Sequence, residues 1–241
     1  MPVSSSGHIA LVPELLGWPY SDLDPELRKS FEVALHAGTA AALAWVLRDE
    51  VAQVLREMSP RRALHVAVEF APAAAAGLAF ERPIERRLGT ARSVAAAQVV
   101  AGALLWAADR APAKRSGDSA TTLDHLIIGT AQAAALIPGV SRNGATLTAA
   151  RMRRFRRRDA SRLSRRAALP IILGATVLKG VRLAKRGLPP GAAAALATGA
   201  VASFASTLAS SRIISAVDNA RSYKPFAAYR IALGLAARWR A

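Results

Sequence analysis

The apolar residues of this chain gather in blocks almost free of charge, and the arginines gather between the blocks. On composition alone, 241 residues with 52% hydrophobic content and a mean hydropathy of +0.22 would suit a soluble domain. The distribution argues for one membrane domain instead, since apolar runs flanked by cations are the pattern of helices that cross a bilayer. The absence of cysteine removes disulfides, thiol redox chemistry and thiolate metal sites. The first residues are rich in hydroxyls, unlike the charged-then-apolar pattern of a cleavable signal peptide.

A net charge of +17 raises nucleic acid as a partner. Only 5% of residues are aromatic, and no basic segment is interleaved with stacking rings, so nucleic acid is not expected. The most basic stretch, Arg151 to Arg166, is opposed only by Asp159. It is expected to be a solvated cytoplasmic loop near anionic head groups.

Six windows read as spans: Phe31 to Leu47, Ala63 to Phe80, Ser93 to Ala108, Ala167 to Leu183 with a kink at Pro170, Gly191 to Val217, and Phe226 to Ala237. Charged segments Arg48 to Arg62 and Glu81 to Arg92 read as loops between them. Two apolar pieces, Ile9 to Leu16 and Ala145 to Met152, are too short for a hydrocarbon core of about 30 Å and read as re-entrant. Glu69 stands inside a span, where an ionisable group marks either function or a hydrogen bond to a neighbouring helix. His36, His65 and His125 are expected to be structural. Mixed polar residues from Ala111 to Thr122 form a linker between a first repeat, about 1–110, and a second, about 123–241.

The segment Ile137 to Thr146 concentrates chemistry within this apolar setting. Pro138-Gly139 stops a helix, because proline lacks the N–H and glycine accepts unusual dihedrals. Ser141, Asn143 or Thr146 can cap a following short helix, whose free amides attract an anion. Arg142 beside them favours a phosphate or diphosphate, gripped by paired charge-assisted hydrogen bonds. Pro2-Val3-Ser4-Ser5-Ser6-Gly7-His8 repeats the pattern at the start. One such segment in each half suggests inverted repeats meeting at a shared site.

Read together, these segments resemble the bacitracin-resistance family of undecaprenyl-diphosphate phosphatases. Pro2 to His8 matches its Pro-Val-Ser-Ser-x-Gly-His segment, and Pro138 to Thr146 its Pro-Gly-x-Ser-Arg-Ser-Gly-Ala-Thr segment, with Asn143 in place of the usual serine. Phe31-Glu32-Val33 with Gly38, Ala168-Leu169-Pro170 with Gly174, and Pro225 to Arg230 also look like family segments. The resemblance implies an all-α polytopic membrane protein, an inverted-repeat helical bundle with re-entrant broken helices, multi-pass in the bacterial plasma membrane. It implies hydrolysis of undecaprenyl diphosphate to the monophosphate and orthophosphate, with His8, Ser141 and Arg142 catalytic. Ser4, Ser5, Ser6, Gly139, Asn143, Gly144 and Thr146 would bind substrate. A homodimer is compatible with this picture. The family also implies a divalent cation, Mg or Ca, held by glutamates just before the first hydroxyl segment. Here the sequence opens at Met1-Pro2, so the ligands are not identifiable, and a start further upstream is expected. The competing expectation is a lipid-phosphate binder or translocator that does not hydrolyse.

Overall fold

A computed structural model of the chain describes residues 1–20, 22–187, 190–211, 217 and 219–240. Among these the chain folds as ten α-helices: α1 (Ser5–Leu16), α2 (Pro25–Val46), α3 (Arg48–Arg56), α4 (Pro60–Leu88), α5 (Ala91–Asp109), α6 (Thr122–Ala133), α7 (Arg142–Met152), α8 (Arg157–Arg186), α9 (Ala193–Ala209) and α10 (Lys224–Arg240). This is an all-α polytopic membrane architecture. Helices α4 and α5 are each long and apolar enough to cross a bilayer, and α2 with α3 makes a third span if the pair, bent by 65°, counts as one. The window Gly191 to Val217 holds α9 and lies partly outside the described residues.

The charged segments correct the expectation drawn from sequence. Arg48 to Arg62 is not simply a loop, since α3 occupies its first nine residues. Glu81 to Arg92 is largely helical, with α4 running on to Leu88. Most of Arg151 to Arg166 belongs to the ends of α7 and α8. Arginine and glutamate are good helix formers, so charge does not end a helix. Capping does. Thr90 accepts the Ser93 amide at 3.3 Å to start α5, and Ser59 accepts the Arg62 amide at 3.3 Å, with Pro60 in the first turn of α4.

The basic stretch is not uniformly solvated either. Arg151 is fully buried and donates to the carbonyl oxygens of Phe155, Asp109 and Ala111. Arg157 Nε meets Asp109 at 2.6 Å, and Arg153 Nε meets Asp124 at 2.6 Å. Asp124 also takes Arg115 Nη2 at 2.6 Å and caps the start of α6 together with Thr121. Two buried carboxylates thus draw these arginines inward and fasten the linker to the turn between α7 and α8. Asp109 further accepts from Ser222 and the Tyr223 amide, which secures the approach to α10.

Helix α7 sits at the centre, against α5, α6 and α8, while α1 packs on α5 and α10. Leu105, Ile128, Leu147, Ala150 and Phe155 form the main core around α7. Glu69 is buried on α4 and accepts from His125 Nδ1 at 2.7 Å, with His65 stacked on His125 at 4.0 Å. Glu69 therefore takes the structural alternative, a hydrogen bond to a neighbouring helix.

Candidate active site

Each hydroxyl segment holds a serine that caps a short helix in the same way. Ser141 Oγ accepts the Gly144 amide at 3.1 Å at the start of α7, and Ser4 Oγ accepts the Gly7 amide at 3.2 Å at the start of α1. The serine carbonyls take the next amides, of Ala145 and His8. At each helix the first two amides, of Arg142 and Asn143 or of Ser5 and Ser6, then have no backbone or capping partner among the described residues. Both helices therefore present positive N-termini. The two starts are joined directly: the Gly139 amide donates to Ser6 Oγ at 3.3 Å, across 133 residues of sequence.

Gly139 is fixed by its backbone. Its φ is +93°, and a Cβ there would lie 2.5 Å from the carbonyl oxygen of Val94 on α5. Arg142 follows the turn, and its Nε is buried without a hydrogen-bond partner among the described residues. Asn143 and Thr146 turn elsewhere: Ser164 on α8 donates to Asn143 Oδ1 at 2.7 Å and lies 2.6 Å from Thr146 Oγ1. Thr146 Oγ1 also donates to the Arg142 and Asn143 carbonyls, at 2.9 and 3.1 Å, so its hydroxyl is engaged within α7 as well as beside Ser164. Ser4 is buried and occupied by its cap, whereas Ser5 is exposed.

His8, one turn into α1, is held on both sides. Its Nδ1 is 2.7 Å from the Ser4 carbonyl and its Nε2 is 2.7 Å from the Tyr229 hydroxyl on α10. A carbonyl oxygen only accepts, so Nδ1 carries a proton and the neutral ring presents its lone pair at Nε2. Tyr229 then donates to that lone pair.

A polar crossbar missed in the sequence lies behind both segments. Gln98 on α5 and Arg230 on α10 are fully buried. Arg230 Nε donates to Gln98 Oε1 at 2.8 Å and its Nη2 to the Gly139 carbonyl at 3.0 Å, while Gln98 Nε2 donates to the Val3 carbonyl at 3.1 Å. One amide and one guanidinium therefore hold the backbones of both segments. Tyr229 and Arg230 belong to the Pro225 to Arg230 segment, and an arginine inside an otherwise apolar final helix was the available signal. Gln98 offered less, being uncharged in an alanine- and valine-rich span.

Among the described residues no group of three or more histidine, aspartate or glutamate side chains converges as a cation cage. Glu69 is engaged by His125. The residues described here do not fit a resident divalent cation.

Residues 1–236 match the family described as Bacitracin resistance protein BacA. Among similar proteins, an undecaprenyl-diphosphatase of Geobacter sulfurreducens is 38% identical over 247 residues, covering 97% of this chain and 90% of that protein. Another, of Chromohalobacter salexigens, is 37% identical over 248 residues, covering 98% and 91%. A third, of Trichlorobacter lovleyi, is 35% identical over 248 residues, covering 98% and 89%.

Proposed function

The chain belongs to the bacitracin resistance protein (BacA) family, and from that premise we propose that it is an integral membrane phosphatase acting on undecaprenyl diphosphate. It releases orthophosphate and undecaprenyl phosphate, recycling the lipid carrier of cell-wall synthesis and conferring bacitracin resistance. Its place is the bacterial plasma membrane, which it crosses several times.

The observation that carries this reading is the joining of two serine-capped helix N-termini by the Ser6–Gly139 hydrogen bond, with the buried Arg142 Nε, unpartnered among the described residues, beside them. Phosphoryl transfer asks chiefly for positioning and for stabilisation of charge on the equatorial oxygens. The paired N-termini supply fixed donors that need no reorganisation, and Arg142 adds a full charge that burial leaves poorly screened. The attacking water gives a proton to the Tyr229 hydroxyl, which passes its own to His8 Nε2. Oxygen from that water bonds to the terminal phosphorus, the bond from phosphorus to the bridging oxygen breaks, and the bridging oxygen stays with undecaprenyl phosphate. Ser141 holds α7 in register by its cap. The isoprenoid chain lies among the apolar helices. Binding or translocation without hydrolysis is not favoured, because relatives matching nearly the whole chain carry the name undecaprenyl-diphosphatase.

The test is orthophosphate release from a C55 isoprenoid diphosphate in detergent, with Mg or Ca supplied or chelated. Arg142→Ala should lower kcat by about 100- to 1,000-fold, the range for removing one preorganised donor to developing charge. His8→Gln should lower it by at least about 100-fold. No release by the wild-type chain under any cation condition, with lipid diphosphate still bound, would overturn the assignment.

A further inference from the structure

The crossbar is built twice over, and its two halves differ in one respect. Gln98 and Arg230 occupy matching places. A Cβ on Gly7, the third residue of α1, would strike Gln98 Nε2, and a Cβ on Gly144, the third residue of α7, would lie 2.5 Å from Arg230 Nη1. Each side chain also lodges against a glycine four residues beyond its counterpart. A Cβ on Gly102 would be 3.3 Å from Arg230 Cβ, and one on Gly234 would be 3.2 Å from Gln98 Cβ. The first-half donor that reaches its helix start is satisfied, Gln98 Nε2 giving its proton to the Val3 carbonyl at 3.1 Å. The second-half donor is not: Arg230 Nη1 is buried, and no acceptor among the described residues meets it.

From this asymmetry we infer that Arg230 is a substrate-binding residue, whose Nη1 donates to a phosphate oxygen of the lipid diphosphate at the start of α7. A buried donor left without an acceptor is costly, and more so when it carries charge. Nothing in the lattice of hydrogen bonds around Arg230 compels that orphan. The guanidinium is oriented by Nε on Gln98 and Nη2 on Gly139, and those two bonds aim Nη1 at the cap of α7 beside Gly144. The missing side chain at Gly144 is what lets it approach. An anion seated on the free amides of Arg142 and Asn143 supplies the absent acceptor, so Arg142 and Arg230 reach one ligand from two different helices. The second half thereby carries the cationic side of the site, while Gln98 gives the first half a neutral amide already in use. This inference rests on the diphosphate reading above for the identity of the ligand.

The experiment measures binding of a non-hydrolysable C55 methylenediphosphonate to wild type, Arg230→Lys and Gly144→Ala in detergent, beside C55 diphosphate turnover and thermal unfolding of each. Lysine keeps the charge but cannot make the forked contacts. In Gly144→Ala the arginine is retained, but the new methyl pushes its Nη1 away from the start of α7. Both variants should weaken the probe by about 10- to 100-fold, the range for a hydrogen bond to a charged group. A merely structural role would lower the unfolding temperature and leave the affinity of the folded fraction unchanged, which overturns the inference. If Arg230→Lys does not fold, Gly144→Ala decides alone. Wild-type binding that depends on Arg230 without turnover supports the inference and sinks the phosphatase assignment. Turnover by wild type with unchanged affinity in Gly144→Ala does the reverse.

Discussion

Arg230 Nε and Gln98 Oε1 meet at 2.8 Å across 132 residues of chain, and through this pair the start of the molecule is tied to its last helix. The amide of Gln98 serves Arg230 with one atom and Val3 with the other. The Gln98 and Arg230 side chains are both fully buried.

Gln98→Leu is therefore expected to destabilise the protein by about 3 kcal/mol or more, since it leaves a buried guanidinium nitrogen and a partly buried carbonyl unpaired. Denaturant unfolding in mixed micelles checks this. A loss below about 1 kcal/mol would mean the crossbar contributes little to stability.

Gly139→Ala should cost about 2 kcal/mol or more and abolish most turnover. The φ of +93° strains any residue with a side chain, and the added carbon would crowd the Val94 carbonyl, which is backbone and cannot swing aside. Unfolding temperature and orthophosphate release read the two effects separately.

Tyr229→Phe removes only the hydroxyl that engages His8 Nε2. We expect kcat to fall by about tenfold with KM nearly unchanged, because the ring that carries the proton loses one of its two restraints while the phosphate donors stay in place. An equal rise in KM would place the effect on binding instead.

Asp124 predicts a pH dependence. Burial alone would raise its carboxyl, but hydrogen bonds from Arg115, the Thr121 amide and Arg153 hold it well below the usual carboxylate range. A depressed carboxylate contributes stability that is present above its unfolded pKa of about 3.9 and lost as pH falls through the lower folded value. The wild-type unfolding temperature should thus drop steeply below about pH 4, and Asp124→Asn should be less stable at pH 7 by about 2 kcal/mol, with a flatter acid limb.

What could be read from sequence was local. Pro138-Gly139 and the serine caps of α1 and α7 act within a few residues of themselves, so their types and spacing announce the turns and helix starts. The ends of α4 and the extent of α3 were hidden because arginine and glutamate, taken for loop residues, favour helix; the determining groups were Thr90 and Ser59. The burial of Arg151 depends on carbonyl groups of Asp109 and Ala111, brought near only by the fold. Ser164 lies 21 and 18 residues beyond Asn143 and Thr146, and nothing in the hydroxyl segment shows that both face it. The Gln98–Arg230 pair is the extreme case, since neither residue has a local pattern that names its partner.

The bond between His8 and Tyr229 spans 221 residues, nearly the length of the protein. During synthesis α1 leaves the ribosome well before α10, so His8 has no Tyr229 to meet until the later helix is made. A nascent chain that has reached α7 but not α10 holds both serine-capped helix starts and Arg142, yet lacks the Gln98–Arg230 crossbar and the Tyr229 contact to His8. Synthesis of α10 is thus the step that fixes the site, and a stop codon anywhere before Tyr229 should leave a protein whose binding and turnover are both sharply reduced.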